Sequence, residues 1–303
     1  MITIIIVYLL IPLLLSAILA FKKESKELLF LLKAISFGLV ILYLVISARW
    51  ELVSIYFRFI IPIIYITAVV TGYRKIEIRE KPIKKINLYI GVIASSLLIV
   101  FMSAMIILAM RGYPKSNNVI DIESPLRNNK YIVLNGGGNR QINAHAKIAP
   151  QDYALDIVAL NNLGLRSSKF SLITDLDDYE IYNDSVFSPI NGVVIDVVNQ
   201  HEDLIPPNRD TKNLTGNYVV IENNGNEVVL AHFKKGSIVV KINDIVSTNT
   251  YLGRVGNSGN TSEPHLHIHI EKGGETGKIL NGNSIPFTID GKYLKRGSII
   301  NNK

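Results

Sequence analysis

Tyr218-Val219-Val220-Ile221-Glu222-Asn223-Asn224-Gly225-Asn226-Glu227-Val228-Val229-Leu230-Ala231-His232 reads as two β-strands joined by a tight turn. Both flanks are rich in β-branched residues, which suit a pleated, half-buried surface. The Asn-Gly pair between them tolerates positive φ at both positions, a strong hairpin signal. Upstream, Gly192-Val193-Val194-Ile195-Asp196-Val197-Val198 predicts another strand, and downstream residues 265–270 predict a short one. Helical periodicity is sparse between 125 and 303, so residues 128–303 are expected to form an all-β, turn-rich domain. Two polar stretches interrupt it, Asn161 to Ser185 and Asn199 to Thr215. The first carries Asp175, Asp177 and Asp178 but lacks the glycine and terminal glutamate of an EF-hand, so it reads as a solvated loop.

Toward the N-terminus the character changes. Four apolar runs, roughly 2–21, 28–47, 52–71 and 86–110, are each about as long as a helix crossing some 30 Å of hydrocarbon. Met1-Ile2-Thr3 has no basic start, and no small-residue cleavage site precedes Phe21-Lys22-Lys23, so the first run reads as a retained span. Residues 1–110 are therefore expected to be a four-helix transmembrane anchor, 111–127 a polar linker with Pro114 and Pro125, and 128–303 the β domain.

The net charge of +7 lies wholly in the anchor. Residues 1–110 hold 12 of the 32 basic and 5 of the 25 acidic residues, which leaves 20 of each in 111–303. That balance offers no basic footprint for a nucleic-acid backbone. The positive charges sit between the apolar runs: Lys22, Lys23 and Lys26 after the first, then Arg74, Lys75, Arg79, Lys81, Lys84 and Lys85 after the third. Only Arg49 lies between the second and third. Basic loops stay cytoplasmic, which places both termini, and hence the β domain, outside the cell membrane. Lys33 and Arg58 fall inside apolar runs, within about two turns of an end, and can snorkel to the interface.

Any metal must be held by His, Asp or Glu, because the chain has no cysteine. Its six histidines are His145, His201, His232, His265, His267 and His269. On a strand, alternate side chains share a face, so His265, His267 and His269 point the same way. Two imidazoles at such spacing can serve one zinc environment, one as ligand and one beside the water, although a His-x-His pair also occurs on ordinary strand surfaces. Zinc catalysis typically uses about three protein ligands and one open position. Asp156, His145 and His232 complete the available parts. Gly136-Gly137-Gly138 precedes no helix start and reads as a flexible turn.

The stretch Gly253-Arg254-Val255-Gly256-Asn257-Ser258-Gly259-Asn260-Thr261-Ser262-Glu263-Pro264-His265-Leu266-His267 resembles the closing signature of the lysostaphin-type zinc metallopeptidases. Ser188 to Val194 is similar to their entry strand, and Leu230-Ala231-His232-Phe233 to their central histidine motif. Asn243-Asp244-Ile245-Val246 with Leu252-Gly253 resembles the turn before the glycine-rich stretch. Asn143-Ala144-His145 with Tyr153-Ala154-Leu155-Asp156 resembles a first metal motif. The likeness spans roughly 130–272. It implies a duplicated-hybrid-motif, barrel-sandwich-like antiparallel β fold and a cell-wall endopeptidase acting on peptide cross-links of peptidoglycan. It also implies His145, Asp156 and His267 as zinc ligands, with His232 and His265 as catalytic imidazoles. One spacing departs from the family: His145 and Asp156 are eleven apart rather than four, so residues 146–151 must loop out. Loop length changes closure entropy slowly, which makes this physically easy. The resemblance assigns no ligand role to His269, which is expected to pack at the site's edge or to orient a ligand as a donor. His201 sits in a polar loop and is expected to face solvent.

Two other readings compete. One is a catalytically silent member of the same fold that binds wall peptides or activates a hydrolase. The other is a lipoyl-like adaptor, which shares the Ser188–Val194 turn but has no use for His265-Leu266-His267.

Overall fold

The computed structural model describes residues 2–22, 26–76, 85–111, 118–169, 173–276 and 278–300. Lys23, Arg79, Lys81, Lys84 and the linker positions 112–117 lie outside the described residues. The chain divides into two compact units, Met1–Met110 and Arg111–Lys303.

Among the described residues of the first unit, three helices are long and apolar enough to cross a membrane: Ile2–Phe21, Glu27–Ser47 and Lys85–Met110. Large apolar side chains such as Leu97, Val100 and Phe101 remain exposed on them, as lipid-facing positions would. The third apolar run departs from expectation. Its start folds as a 3₁₀ turn, Trp50–Leu52, and the helix covers only the 17 residues Phe57–Tyr73. At 1.5 Å per residue that is about 25 Å, short of the usual hydrocarbon thickness. The turn is held by its own polar groups. Trp50 Nε1 donates to Leu44 O at 3.0 Å, and Arg49 Nε pairs with the buried Glu51 at 2.7 Å. The four-span expectation therefore corresponds to three qualifying helices and one shorter apolar helix. Arg58 is the second residue of that shorter helix.

The second unit is built on antiparallel β-structure. Its strands are β1 Ile120–Ile122, β2 Lys130–Asn135, β3 Leu155–Leu160, β4 Ser185–Phe187, β5 Gly192–Val198, β6 Asn217–Asn223, β7 Asn226–Phe233, β8 Ile245–Val246, β9 Tyr251–Arg254, β10 Leu266–Lys272, β11 Asn283–Ser284, β12 Phe287–Ile289 and β13 Ile299–Ile300. Nine form one sheet in the order β13-β2-β3-β10-β7-β6-β5-β8, with β11 on β10. The predicted hairpin is β6–β7, in which Asn223 pairs with Asn226 across Asn224 (φ 52°) and Gly225 (φ 74°). Val219, Val220, Ile221, Val229 and Leu230 are fully buried. Both faces of the hairpin are thus covered, which explains a continuous apolar run where one-sided burial would give alternation.

Part of the expected linker is structured instead. β1 pairs in parallel with β12, and Ile122 and Leu126 are buried. The apolar residues Val119, Ile120, Ile122 and Leu126 alternate too irregularly to announce a strand; the partner 167 residues away supplies it. In the acidic stretch, Asp178 is bound by Lys169 at 2.9 Å and Asp175 caps the 3₁₀ turn Leu176–Asp178.

Candidate metal centre

Strands β3, β10 and β7 lie side by side, with His267 opposite Asp156 on one flank and Ala231 on the other. Cross-strand partners of this kind have Cβ atoms about 5 Å apart, so register alone brings Asp156 and His267 together. His267 Nδ1 lies 2.9 Å from Asp156 Oδ1. His145 Nε2 reaches Asp156 Oδ2, also at 2.9 Å.

The eleven-residue gap between His145 and Asp156 is closed by Asn143. Its buried Nδ2 donates to the carbonyls of Gly137, Asp152 and Ala154 at 2.8, 3.2 and 3.1 Å. That single amide ties both ends of the loop together and holds residues 144–153 outside the sheet. Gln151 Oε1 then meets His145 Nδ1 at 3.1 Å, which leaves Nε2 directed at Asp156.

His232 arrives by a different device. Along β6–β7, Tyr218 pairs with Ala231 but Asn217 pairs with Phe233, so His232 is the extra residue of a β-bulge. Its φ is 66°, a left-handed conformation that non-glycine residues rarely adopt. Bulges re-aim a side chain. Without this one His232 would alternate away from Ala231, whereas here both line one cleft. Its Nδ1 lies 2.8 Å from Ser258 O. His265 is fixed just before β10, with Nδ1 2.8 Å from Glu263 O and 3.1 Å from Thr261 Oγ1. The His232 and His265 rings stand 4.7 Å apart, and those of His145 and His267 4.8 Å apart.

Two triads can therefore each gather one ligand atom per residue within 4.8 Å: His145, Asp156 and His267, and also His232, His265 and His267. The cleft above them, about 320 Å³, is bordered by His145, His232, His267, Thr215 and Leu280. His201 belongs to neither triad. It is half-buried, and its backbone is exchanged with the Asn217 side chain at 2.8 Å in both directions.

Burial opposes ionisation of Asp156, yet the charges of His145 and His265 and hydrogen bonds from His145 and His267 hold it well below the usual carboxylate range. Burial also acts against protonation of His145, but the Asp156 carboxylate outweighs it and raises that imidazole. His267 is pushed down to about 3 by burial, against the pull of Asp156. His232 is driven far below its ordinary value by burial and then by its neighbours His265 and His267. An ionised, buried carboxylate between two imidazoles, one of them kept neutral, is the donor chemistry that zinc takes from nitrogen and oxygen ligands. The residues fit such an ion.

Several supporting groups carry no local signal in the sequence. Asn135 donates to Asp156 Oδ2 at 2.8 Å, placed there by a bulge in β2. Arg166, from the loop expected to be solvated, forms a buried ion pair with Glu263 and lies over the Tyr179 ring. Only long-range register brings these residues to the site. Thr261 and Glu263, by contrast, stand inside the signature stretch.

Residues 178–279 match peptidase family M23. The matched stretch includes His232, His265 and His267, while His145 and Asp156 precede it. The match spans 102 of the chain's 303 residues. Similar solved structures include a zinc containing peptidase from Vibrio cholerae, 26% identical over 31% of this chain and 24% of that one, with a TM-score of 0.24. Lysostaphin is 14% identical over 43% of this chain and 40% of its own, TM-score 0.26. A mutant catalytic domain of a prophage-encoded M23 protein from Enterococcus faecalis is 21% identical over 40% and 82%, TM-score 0.21. The chain thus spans less than half the length of the first two. No curated protein matches it.

Proposed function

We propose that this protein is a membrane-anchored, zinc-dependent endopeptidase that hydrolyses peptide cross-links of bacterial peptidoglycan outside the cell membrane. The observation that carries the reading is the convergence of His145, Asp156 and His267 with His232 and His265 in two triads that share His267, with His145, His232 and His267 lining one cleft. In this reading His145, Asp156 and His267 hold the ion. Zinc, when bound, supplies a Lewis acid for the scissile carbonyl and a water of lowered pKa.

The chain's own residues do the rest. His232 is buried and kept neutral by its surroundings, so it is available to take a proton at Nε2 while Ser258 O engages Nδ1. His265 Nε2 faces the same space, 3.5 Å from Asp156 Oδ1. Its Nδ1 is engaged by Glu263 O, which fixes Nε2 toward the reacting centre as a proton carrier or oxyanion partner. The half-open cleft accepts an extended peptide with its carbonyl over the histidines. The apolar helices would anchor the chain in the bilayer, with Phe57–Tyr73 as a fourth, tilted or partly inserted span.

The test uses the full chain in detergent. Metal analysis should find one zinc per chain, and mass spectrometry of muropeptides should find peptide bonds cut. Zinc at full occupancy with every muropeptide intact would sink the peptidase assignment in favour of a silent wall-binding protein.

A further inference from the structure

His265 is presented by a short turn, and a residue from a different loop grips that turn. Thr261 braces it from within: its Oγ1 donates to Glu263 O at 2.6 Å and lies 3.1 Å from His265 Nδ1. Glu263 O is also the atom that holds His265 Nδ1, at 2.8 Å. Pro264 stands between them and restricts Glu263 to extended backbone. The carbonyl of Glu263 thus engages the imidazole, while its carboxylate pairs with the Arg166 guanidinium. One residue links His265 to Arg166.

Arg166 is itself held. It follows β3, the strand that carries Asp156, by way of a turn in which Asn161 Oδ1 accepts from Leu163 N and Leu165 N, each at 3.0 Å. Arg166 O accepts from Glu180 N at 3.1 Å. The guanidinium carbon lies 5.1 Å from the centre of the Tyr179 ring. The side chains of Arg166 and Glu263 are only 13% and 7% exposed. A buried ion pair often stabilises a fold no more than well-packed apolar side chains of similar volume. What it adds here is direction, because a planar guanidinium stacked on a ring narrows where its carboxylate partner can sit. Neither residue borders the cleft, so an effect on the chemistry has to pass through His265.

We propose that Arg166 is a positioning residue: by gripping Glu263 it fixes the turn that aims His265 Nε2 at the reacting centre, and it acts on turnover rather than on zinc or peptide binding. The inference rests on the catalytic reading of His265. It gives the polar stretch after β3 a part in the chemistry, through a contact that runs from one loop to another.

The experiment uses the full chain in detergent. Arg166→Met leaves the Glu263 carboxylate buried without the guanidinium. Its kcat for muropeptide cleavage should fall about 10–100-fold, the cost of displacing a catalytic group by about 1 Å, with KM and zinc content unchanged. The double variant Arg166→Met/Glu263→Met removes both charges but keeps the backbone carbonyl of residue 263, so His265 retains its partner atom. It should recover the wild-type melting temperature, since no charge is left buried, while kcat stays low. Recovery of kcat together with stability would overturn the proposal, as would unchanged kcat in Arg166→Met or loss of zinc in either variant. A double variant that stays unstable or fails to fold would overturn it too, by making the pair a folding element. The ¹⁵N-histidine spectrum gives a readout independent of cleavage: the double variant should shift the His265 ring signals more than those of His145. An unmoved His265 would count decisively against the inference. A wild type that cuts no muropeptide defeats the peptidase reading and leaves this spectral test standing.

Discussion

Asp156 and His265 sit 3.5 Å apart at their nearest polar atoms, yet their substitutions should separate cleanly. Asp156→Asn removes the charge on which His145 and His267 converge, and is expected to abolish zinc retention and hydrolysis together. His265→Ala leaves that triad intact; zinc should be retained while turnover falls by roughly 10²–10⁴-fold, the usual loss for a proton-transferring imidazole. Metal content after dialysis, read beside muropeptide cleavage, checks both; zinc loss in His265→Ala would contradict the assignment. A pH dependence follows from His145. Its pKa in the metal-free protein is raised above 6.5 because the Asp156 carboxylate outweighs burial. The stabilisation from that pair is complete below the unfolded-state value and is lost as pH rises through the folded-state value. His232, His267 and His269 are all depressed, so they are neutral in the folded protein, and from about a pH unit above 6.5 they are neutral in the unfolded chain too and add no slope. In that higher window the metal-free melting temperature should therefore fall as pH rises, while zinc affinity rises as the competing proton leaves His145. Loss of the downward slope in His145→Gln would attribute it correctly; an identical slope would not.

At the scale of elements, the site depends on two loops lying nearly backbone to backbone. Gly216 has φ 62°, and a Cβ there would stand 2.4 Å from Ser258 C and O. Ser258 is the residue whose carbonyl holds His232 and whose Oγ accepts from Asn217 N at 2.9 Å. Gly216→Ala is expected to destabilise the β unit by roughly 1–3 kcal/mol and to slow turnover through displacement of His232, with zinc content preserved. Thermal unfolding with metal analysis reads this; a variant as stable and active as wild type would show that the close approach is not needed. The legibility of the sequence differs along these same elements. The β6–β7 hairpin and strand β5 were readable because their causes are local, an Asn-Gly turn and β-branched runs. The order of motifs also pointed to His145, Asp156, His232, His265 and His267, and the structure brings all five together. The bulge at His232 was not readable, since nothing in Leu230-Ala231-His232-Phe233 says that Asn217 will pair one residue late. Nor was the Asn143 clasp, whose three acceptors are local in sequence but become acceptors only once the turn has formed. Strand β1 and the Arg166–Glu263 pair were hidden for the same reason: each needs a distant partner.

For the whole molecule, the open physical question is what the 17-residue helix Phe57–Tyr73 does. Four crossings would put the N-terminus and the β unit on one side of the membrane, whereas three would separate them. Its length is marginal, but tilt, bilayer thinning and anchoring side chains accommodate modest mismatch at small cost. Arg58 near its start and Arg74 at its end suit the two interfaces. Gly72 packs directly on the first helix, where a Cβ would stand 2.1 Å from Leu19 O, and Tyr65 donates to Ala34 O of the second. Such close approach at a small residue is how helices associate in lipid, where no hydrophobic force drives them together. That packing favours a helix alongside the other two rather than one lying at the surface, and in the proposed topology the basic side of the charge pattern puts Arg74 in the cytoplasm. The absence of cysteine makes the test clean. Tyr56→Cys and Asn224→Cys should react with a membrane-impermeant maleimide on intact cells, and Arg74→Cys only after permeabilisation. Labelling of Tyr56→Cys and Arg74→Cys from the same side would mean that the helix does not cross. Protection of Asn224→Cys in intact cells would place the β unit in the cytoplasm, away from any cell-wall substrate.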